Sequence, residues 1–191
     1  MNKPQVKYTD IHQDLIEKCR RKDSKAQMRV YELYFHAMFN TCLRIIKNEI
    51  LAEDIMQEAF LTAFEKIALF KGESSFGAWL KRIVINKSLD ELKKNRPLFD
   101  PLETTPEAFT VKDTEEENTA SAEEMMVKIH RIKQALAQLP DGYRIVLSLY
   151  LFEGYDHEEI SQIMGITEST SRSQFTRAKH KLLEVINTIK R

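Results

Sequence analysis

Glycine and proline are scarce, five of each in 191 residues. A β-rich fold with many tight turns needs more of both, so the shortage favours helices. Cysteine is scarcer still. Cys19 and Cys42 stand apart, with no CxxC pair and no Cys/His cluster. That spacing argues against a disulfide framework or a zinc site and for two reduced thiols on helices. No apolar run approaches the ~18 residues of a membrane span, and the opening "MNKPQVKYTDIHQDL" lacks the apolar core of a signal peptide. No membrane insertion and a cytoplasmic location are therefore expected. A nucleophile–base pair, a phosphate-cradling glycine loop and a metal-ligand cluster are all missing from the sequence. The expectation is a protein that is not an enzyme, with no catalytic residues, no cofactor and no metal.

What the chain has is charge, 30% of its residues, against 42% hydrophobic residues. The formal net charge is zero, yet the charges are segregated. Residues 1–97 hold 18 basic and 13 acidic side chains, residues 98–124 one and nine, and residues 125–191 ten and seven. Two basic lobes are joined by an acidic strap. The strap, "PLFDPLETTPEAFTVKDTEEENTAS" over 97–121, carries three of the five prolines and no helical apolar period. It reads as a flexible linker. A flexible chain of ~24 residues spans roughly 25–30 Å on average and ~80 Å when stretched, enough to set two lobes a DNA turn (~34 Å) apart.

Both lobes read as helices, an all-α fold of two small domains. In the first, residues 11–21 offer Ile11, Leu15 and Ile16 as an apolar side. Residues 25–48 repeat Met28, Leu33, Tyr34, Met38, Cys42, Ile45 and Ile46 near a 3–4 spacing, and 50–70 repeat Ile55, Ala59, Phe60, Ala63, Phe64 and Ile67. A fourth helix over 74–95 starts near Ser75 as N-cap. The second lobe shows helical stretches at 122–138, 141–152, 156–163 and 167–189, punctuated by Pro140-Asp141-Gly142, Gly154 and Gly165.

The end of this lobe, "YDHEEISQIMGITESTSRSQFTRAKHKL", fits a helix-turn-helix. Small Ser161 stands where two helices would cross, and Gly165 can take the left-handed conformation that closes the first of them. Ile160, Ile163 and Ile166 supply a shared core, and Thr167 is a good N-cap with Thr170 three residues on. Placed on a wheel at ~100° per residue, the second helix turns Ser171, Phe175, Ala178, Leu182, Ile186 and Ile189 inward. Ser169, Thr170, Ser173, Thr176, Arg177 and His180 fall opposite, with Arg172 and Lys179 on one flank and Gln174 and Lys181 on the other. Short hydroxyls interleaved with long cations suit phosphate oxygens and base edges. A basic helix lying on acidic protein is the blander alternative.

Two further patterns stand in the first lobe. Asp54, Gln57, Glu58 and Glu65 form a polar, negative stripe along one helix, suited either to solvent or to a basic partner helix. In "FKGESSFGAWLKRIVINKSLDELKKNRP", Phe70, Phe76 and Trp79 stand beside Lys71, Lys81, Arg82, Lys87, Lys93, Lys94 and Arg96. Aromatics next to cations suit unstacked single-stranded bases, whereas a bland reading makes Phe76 and Trp79 core.

Taken in order, "DIMQEAFLTAFEKI", "FKGESSFGAWLKRIVINKSLDELKK" and "GYDHEEISQIMGITESTSRSQFTRAKHKL" resemble conserved regions two and four of bacterial RNA polymerase sigma factors, in the compact extracytoplasmic-function (ECF) arrangement. The resemblance implies residues 1–97 as region two, 98–121 as a flexible acidic linker and 122–191 as region four. It implies that Asp54, Gln57 and Glu58 dock on the β′ clamp helices of core polymerase. It matches the loop with Phe70, Lys71, Gly72, Ser74, Ser75 and Phe76, and the adjoining face with Arg82, Asn86 and Lys87, to capture of a flipped −10 base. It matches Arg172, Ser173, Thr176 and Arg177 to the −35 major groove, with Lys179 and Lys181 on phosphates and Thr170 also among the −35 DNA-binding residues. Partners implied are core RNA polymerase (β′ clamp helices and β flap), promoter DNA and an anti-sigma factor, with a monomer when free. The chain departs from the pattern at Ser171, where relatives often carry a valine-like residue, at Gln174, often arginine, and at Gly77, often basic or larger. The rival reading is a stand-alone helix-turn-helix regulator that dimerises on paired half-sites. A third is a protein adaptor with no salt-dependent DNA affinity.

Overall fold

The computed structural model describes residues 11–95 and 122–189, and every regular element among them is helical. The linker expectation lies outside the described residues. The chain forms two compact units, Met1–Asn95 and Arg96–Arg191.

The first unit starts with α1 (Gln13–Arg20), α2 (Ser24–Ile46) and α3 (Glu49–Glu65). Local polar groups set their boundaries. The Asp23 carboxylate accepts from the amides of Lys25 at 2.9 Å and Ala26 at 3.1 Å, which starts α2. Asn48 does the same for α3, accepting from the Leu51 amide at 3.0 Å. A short 3-10 turn (Ile67–Leu69) leads to a loop and then α4 (Phe76–Asn95). As the sequence predicts, Ser75 caps α4, its hydroxyl accepting from the Ala78 amide at 3.2 Å.

α2, α3 and α4 pack on one another around Met38, Cys42, Met56, Phe60, Leu80 and Ile85, all sealed from solvent. Three predicted apolar positions are corrected. Ile11 precedes α1 in a turn and is 94% exposed. Met28 and Leu33 are also exposed. The buried face of α2 steps through Ala26, Val30, Met38, Cys42 and Ile46. Met28, two residues from both Ala26 and Val30, lies on the far side of the helix.

The second unit holds α5 (Ala122–Gln138), α6 (Asp141–Leu151), α7 (His157–Met164) and α8 (Glu168–Ile189). α6 is its centre, buried continuously from Arg144 to Leu149. α8 packs against α5, α6 and α7, with Leu136, Leu139, Leu147 and Ala178 forming one core cluster under Phe175, Leu182 and Val185. Within that core stands Arg144, 1% exposed. It is held by the Asp141 carboxylate and donates to the Leu139 carbonyl at 3.3 Å. A buried guanidinium persists only when paired in this way.

Candidate nucleic-acid interface

The helix-turn-helix is built from local chemistry. Asp156 opens α7 with a capping box, its carboxylate accepting from the Glu159 amide at 2.8 Å while Glu159 accepts from the Asp156 amide at 3.0 Å. Gly165 closes the helix at φ 71°, ψ 37°. The amides of Gly165 and Ile166 both donate to the Ser161 carbonyl, at 2.9 and 3.0 Å. Thr167 then caps α8, its hydroxyl accepting from the Thr170 amide at 3.1 Å. Ile160 and Ile163 are buried between the helices, and Ile166 is half-buried.

This turn presents the face of α8 that the wheel predicts. Arg172, Ser173 and Thr176 are exposed, and Thr170, Arg177 and Lys179 are half-buried. Ser173 and Thr176 hydroxyls donate to backbone carbonyls one turn earlier, at 3.0 and 3.1 Å, which leaves their lone pairs outward. Arg172 pairs with Glu168 one turn back, and Lys181 with Glu184 at 2.9 Å. Both pairs are exposed, and such pairs are worth about 0.2–1 kcal/mol, so exchanging the carboxylate for a phosphate or a base edge costs little. Lys179 lies over the Phe175 ring at 5.8 Å. His180 is half-buried rather than fully outward, with its Nε2 away from solvent. Ser171, a departure from the sigma pattern, is fully buried, and its hydroxyl lies 2.9 Å from His157 Nδ1.

In the first unit Asp54, Gln57 and Glu58 are exposed along α3. Beside them an open groove of about 420 Å³ runs between α2 and α3, lined by Met28, Tyr31, Gln57, Phe60, Leu61 and Phe64. Its apolar character was not legible in the sequence, because α2 and α3 contribute its walls separately. Met28 and Leu61 are 57% and 64% exposed, so the negative stripe borders an apolar furrow.

The loop before α4 is arranged differently from the aromatic-and-cation motif. Phe70 and Phe76 are buried at 4% and 1% exposure. With half-buried Trp79 they form a three-ring cluster at centroid distances of 5.5–5.6 Å. Tyr34 of α2 packs on Phe76 at 5.6 Å. These rings hold the ends of the loop, while Lys71 and Ser74 are exposed and Gly72 and Ser75 half-buried. Arg20 of α1 adds a tie, donating to the Phe70 carbonyl. Gly77 explains itself here: a Cβ would stand 2.9 Å from the Tyr34 ring. On α4, Asn86 is exposed and Arg82 and Lys87 are half-buried. Lys87 donates to Glu58 at 3.3 Å, so the loop-side cations and the α3 stripe adjoin.

Among the described residues no group of His, Cys, Asp and Glu is placed to hold a metal ion, and no helix is long and apolar enough to cross a membrane.

Comparison with known proteins gives the two surfaces a common frame. The Sigma-70 region 2 family matches residues 30–97, and the Sigma-70, region 4 family matches residues 129–182. The RNA polymerase sigma-H factor of Pseudomonas aeruginosa is 29% identical over 184 residues, covering 94% of this chain and 95% of that protein. The ECF RNA polymerase sigma factor SigW of Bacillus subtilis is 28% identical, covering 87% and 92%. In fold, the sigma factor RpoE of Bartonella quintana, solved in complex with the anti-sigma factor NepR, aligns with a TM-score of 0.56 at 22% identity, covering 84% and 96%. With both sigma regions present in order, and with relatives that run nearly its full length, the chain belongs to the extracytoplasmic-function group of RNA polymerase sigma factors.

Proposed function

We propose a division of labour in which residues 1–97 bind core polymerase and the −10 element, residues 122–191 read the −35 element, and residues 98–121 connect them. The protein is an alternative sigma factor that directs RNA polymerase to promoters and acts in transcription initiation. The observation that carries the finer reading is the outer face of α8. A left-handed closure at Gly165 and a threonine cap turn Arg172, Ser173, Thr176 and Arg177 away from the core as one surface of hydroxyls and cations. The cations are donors for base edges and phosphates in a major groove, and the hydroxyls offer outward lone pairs to base-edge donors. Thr170 at the helix start and Lys179 and Lys181 further along are assigned to the DNA backbone.

Asp54, Gln57 and Glu58 are assigned to the β′ clamp helices, a reading supported by their exposure beside the apolar furrow of α2 and α3. The −10 strand is assigned to the loop tip, Lys71, Gly72, Ser74 and Ser75, and to Arg82, Asn86 and Lys87. Phe70 and Phe76, being buried, support the loop in this state rather than present a stacking face. The second unit is also assigned to the β flap. An anti-sigma protein is a further partner, supported by the Bartonella quintana factor having been solved with one.

Run-off transcription with purified core polymerase on genomic fragments tests the reading. The expected result is a set of transcripts that depend on this protein, together with its co-elution with core as a monomer. A dimer that binds paired half-sites tightly without polymerase, and gives no dependent transcript, would instead establish the stand-alone regulator.

A further inference from the structure

His157, the first residue of α7, lies in a cage made by three helices. Its ring stacks on Tyr150 of α6 at 4.9 Å and 26°, and meets Phe175 of α8 edge-on at 5.4 Å and 72°. Tyr150 and Phe175 touch each other at 4.5 Å. The Nδ1 atom of this caged ring lies 2.9 Å from the Ser171 hydroxyl, the fully buried side chain that precedes Arg172. A buried hydroxyl requires a partner, and this one finds it on another helix rather than in its own backbone.

An apolar side chain at position 171 would hold α8 by shape alone, which tolerates rotation. A hydrogen bond between two packed helices is directional. A roll of α8 by about 10° moves a side-chain tip 5–6 Å from the axis by roughly 1 Å. Recognition geometry is held to about 0.5 Å, so roll is the degree of freedom that matters for Arg172 and Ser173.

We propose that His157 is a positioning residue for −35 recognition, acting through Ser171 to fix the roll of α8 and so the placement of Arg172 and Ser173. This rests on the assignment of α8 to the −35 groove. Protonation changes the bond: Nδ1 of the neutral ring accepts from or donates to the hydroxyl according to its tautomer, and that of the charged ring can only donate. Burial and the adjacent Arg172 guanidinium hold the imidazole pKa below its usual 6.5, against the opposing pull of Glu168 and Asp156. Tyr150, from α6, presents only its ring face. The N-terminus of α7, where His157 sits, likewise disfavours a cation. A depressed folded-state pKa keeps the ring neutral through pH 6.5, so the clamp loosens only as the pH falls through that lowered value and a charged ring is set against the Arg172 guanidinium.

The test uses holoenzyme assembled from core polymerase and the full chain, on a promoter recovered by run-off and on the same fragment with its −35 segment scrambled. The measured quantity is the ratio of the two affinities between pH 5.5 and 8. Wild type is expected to keep its discrimination from pH 8 through 6.5 and to lose it only toward the acid end of the range. His157→Phe, which keeps the rings but neither accepts nor titrates, is expected to lower the ratio roughly fivefold at pH 7.5, about the worth of one hydrogen bond, with a flat pH profile. Ser171→Ala is expected to do the same, and the double variant no worse than either. Affinity for scrambled DNA, its salt slope and co-elution with core are expected to stay unchanged, which a merely structural role would not predict. Wild-type discrimination and pH profile in both single variants, or additive losses in the double, would overturn the proposal. A wild-type holoenzyme that recognises no promoter would overturn the −35 assignment beneath it.

Discussion

Replacing Gly165 by alanine isolates the backbone cost of the turn between α7 and α8. The residue sits at φ 71°, and an added Cβ would meet nothing within 4 Å. Steric clash with neighbours therefore contributes nothing, and the whole effect is conformational. A left-handed non-glycine residue costs about 1–2 kcal/mol, and the stiffer unfolded chain returns about 0.4–1 kcal/mol. The net loss is roughly 1 kcal/mol, which for a unit of this size lowers Tm by about 4–8 °C. The single tryptophan, Trp79, lies in the first unit. Its fluorescence transition should therefore stay put while the far-UV circular dichroism of the second unit melts earlier. Gly165→Asn should fall between the two, since asparagine tolerates this conformation better. An unchanged second-unit melt in Gly165→Ala, or a shift equally large in the tryptophan signal, would refute the argument that a left-handed residue alone sets this turn.

The remaining expectations are brief. Asp141→Ala strands the buried Arg144 guanidinium and should destabilise the second unit by about 3–5 kcal/mol, read as early loss of its circular dichroism signal. Reversing charge at both Asp54 and Glu58 should abolish co-elution with core polymerase while the tryptophan melt moves by only a few degrees, because both side chains are exposed. Loss of Lys87's ion pair in that variant is worth at most about 1 kcal/mol. Converting Lys179 and Lys181 to alanine should reduce the salt slope of duplex binding by roughly 2 without changing sequence preference. An unchanged slope would remove both from the phosphate contacts.

The boundaries of α7 and α8 follow from neighbours in sequence. Asp156 and Glu159 make one cap, Ser161 and Gly165 the closure, and Thr167 and Thr170 the next start. Each interaction spans five residues or fewer, so residue type and spacing are enough to place it. The inward and outward faces of α8 follow from the same local logic, although Thr170, Arg177 and His180, which the wheel turns outward, are half-buried. The loop before α4 was less legible. Aromatics beside cations fit a stacking surface and a supported loop equally well, and only the arrival of Tyr34 and Arg20 from other helices makes Phe70 and Phe76 supports. A loose 3–4 spacing admits Met28 of α2 as core, yet in the fold it forms a wall of the furrow beside α3.

By itself, the sequence determined an all-helical chain, the turn at Gly165 and an outward face of hydroxyls and cations, because helix period and capping are short-range. Only the tertiary structure decided which polar groups meet across helices. Lys87 found Glu58 from 29 residues away, and Ser171 came against His157 in a cage of rings from three helices. Such contacts depend on the roll and crossing of packed helices, and no local spacing encodes either.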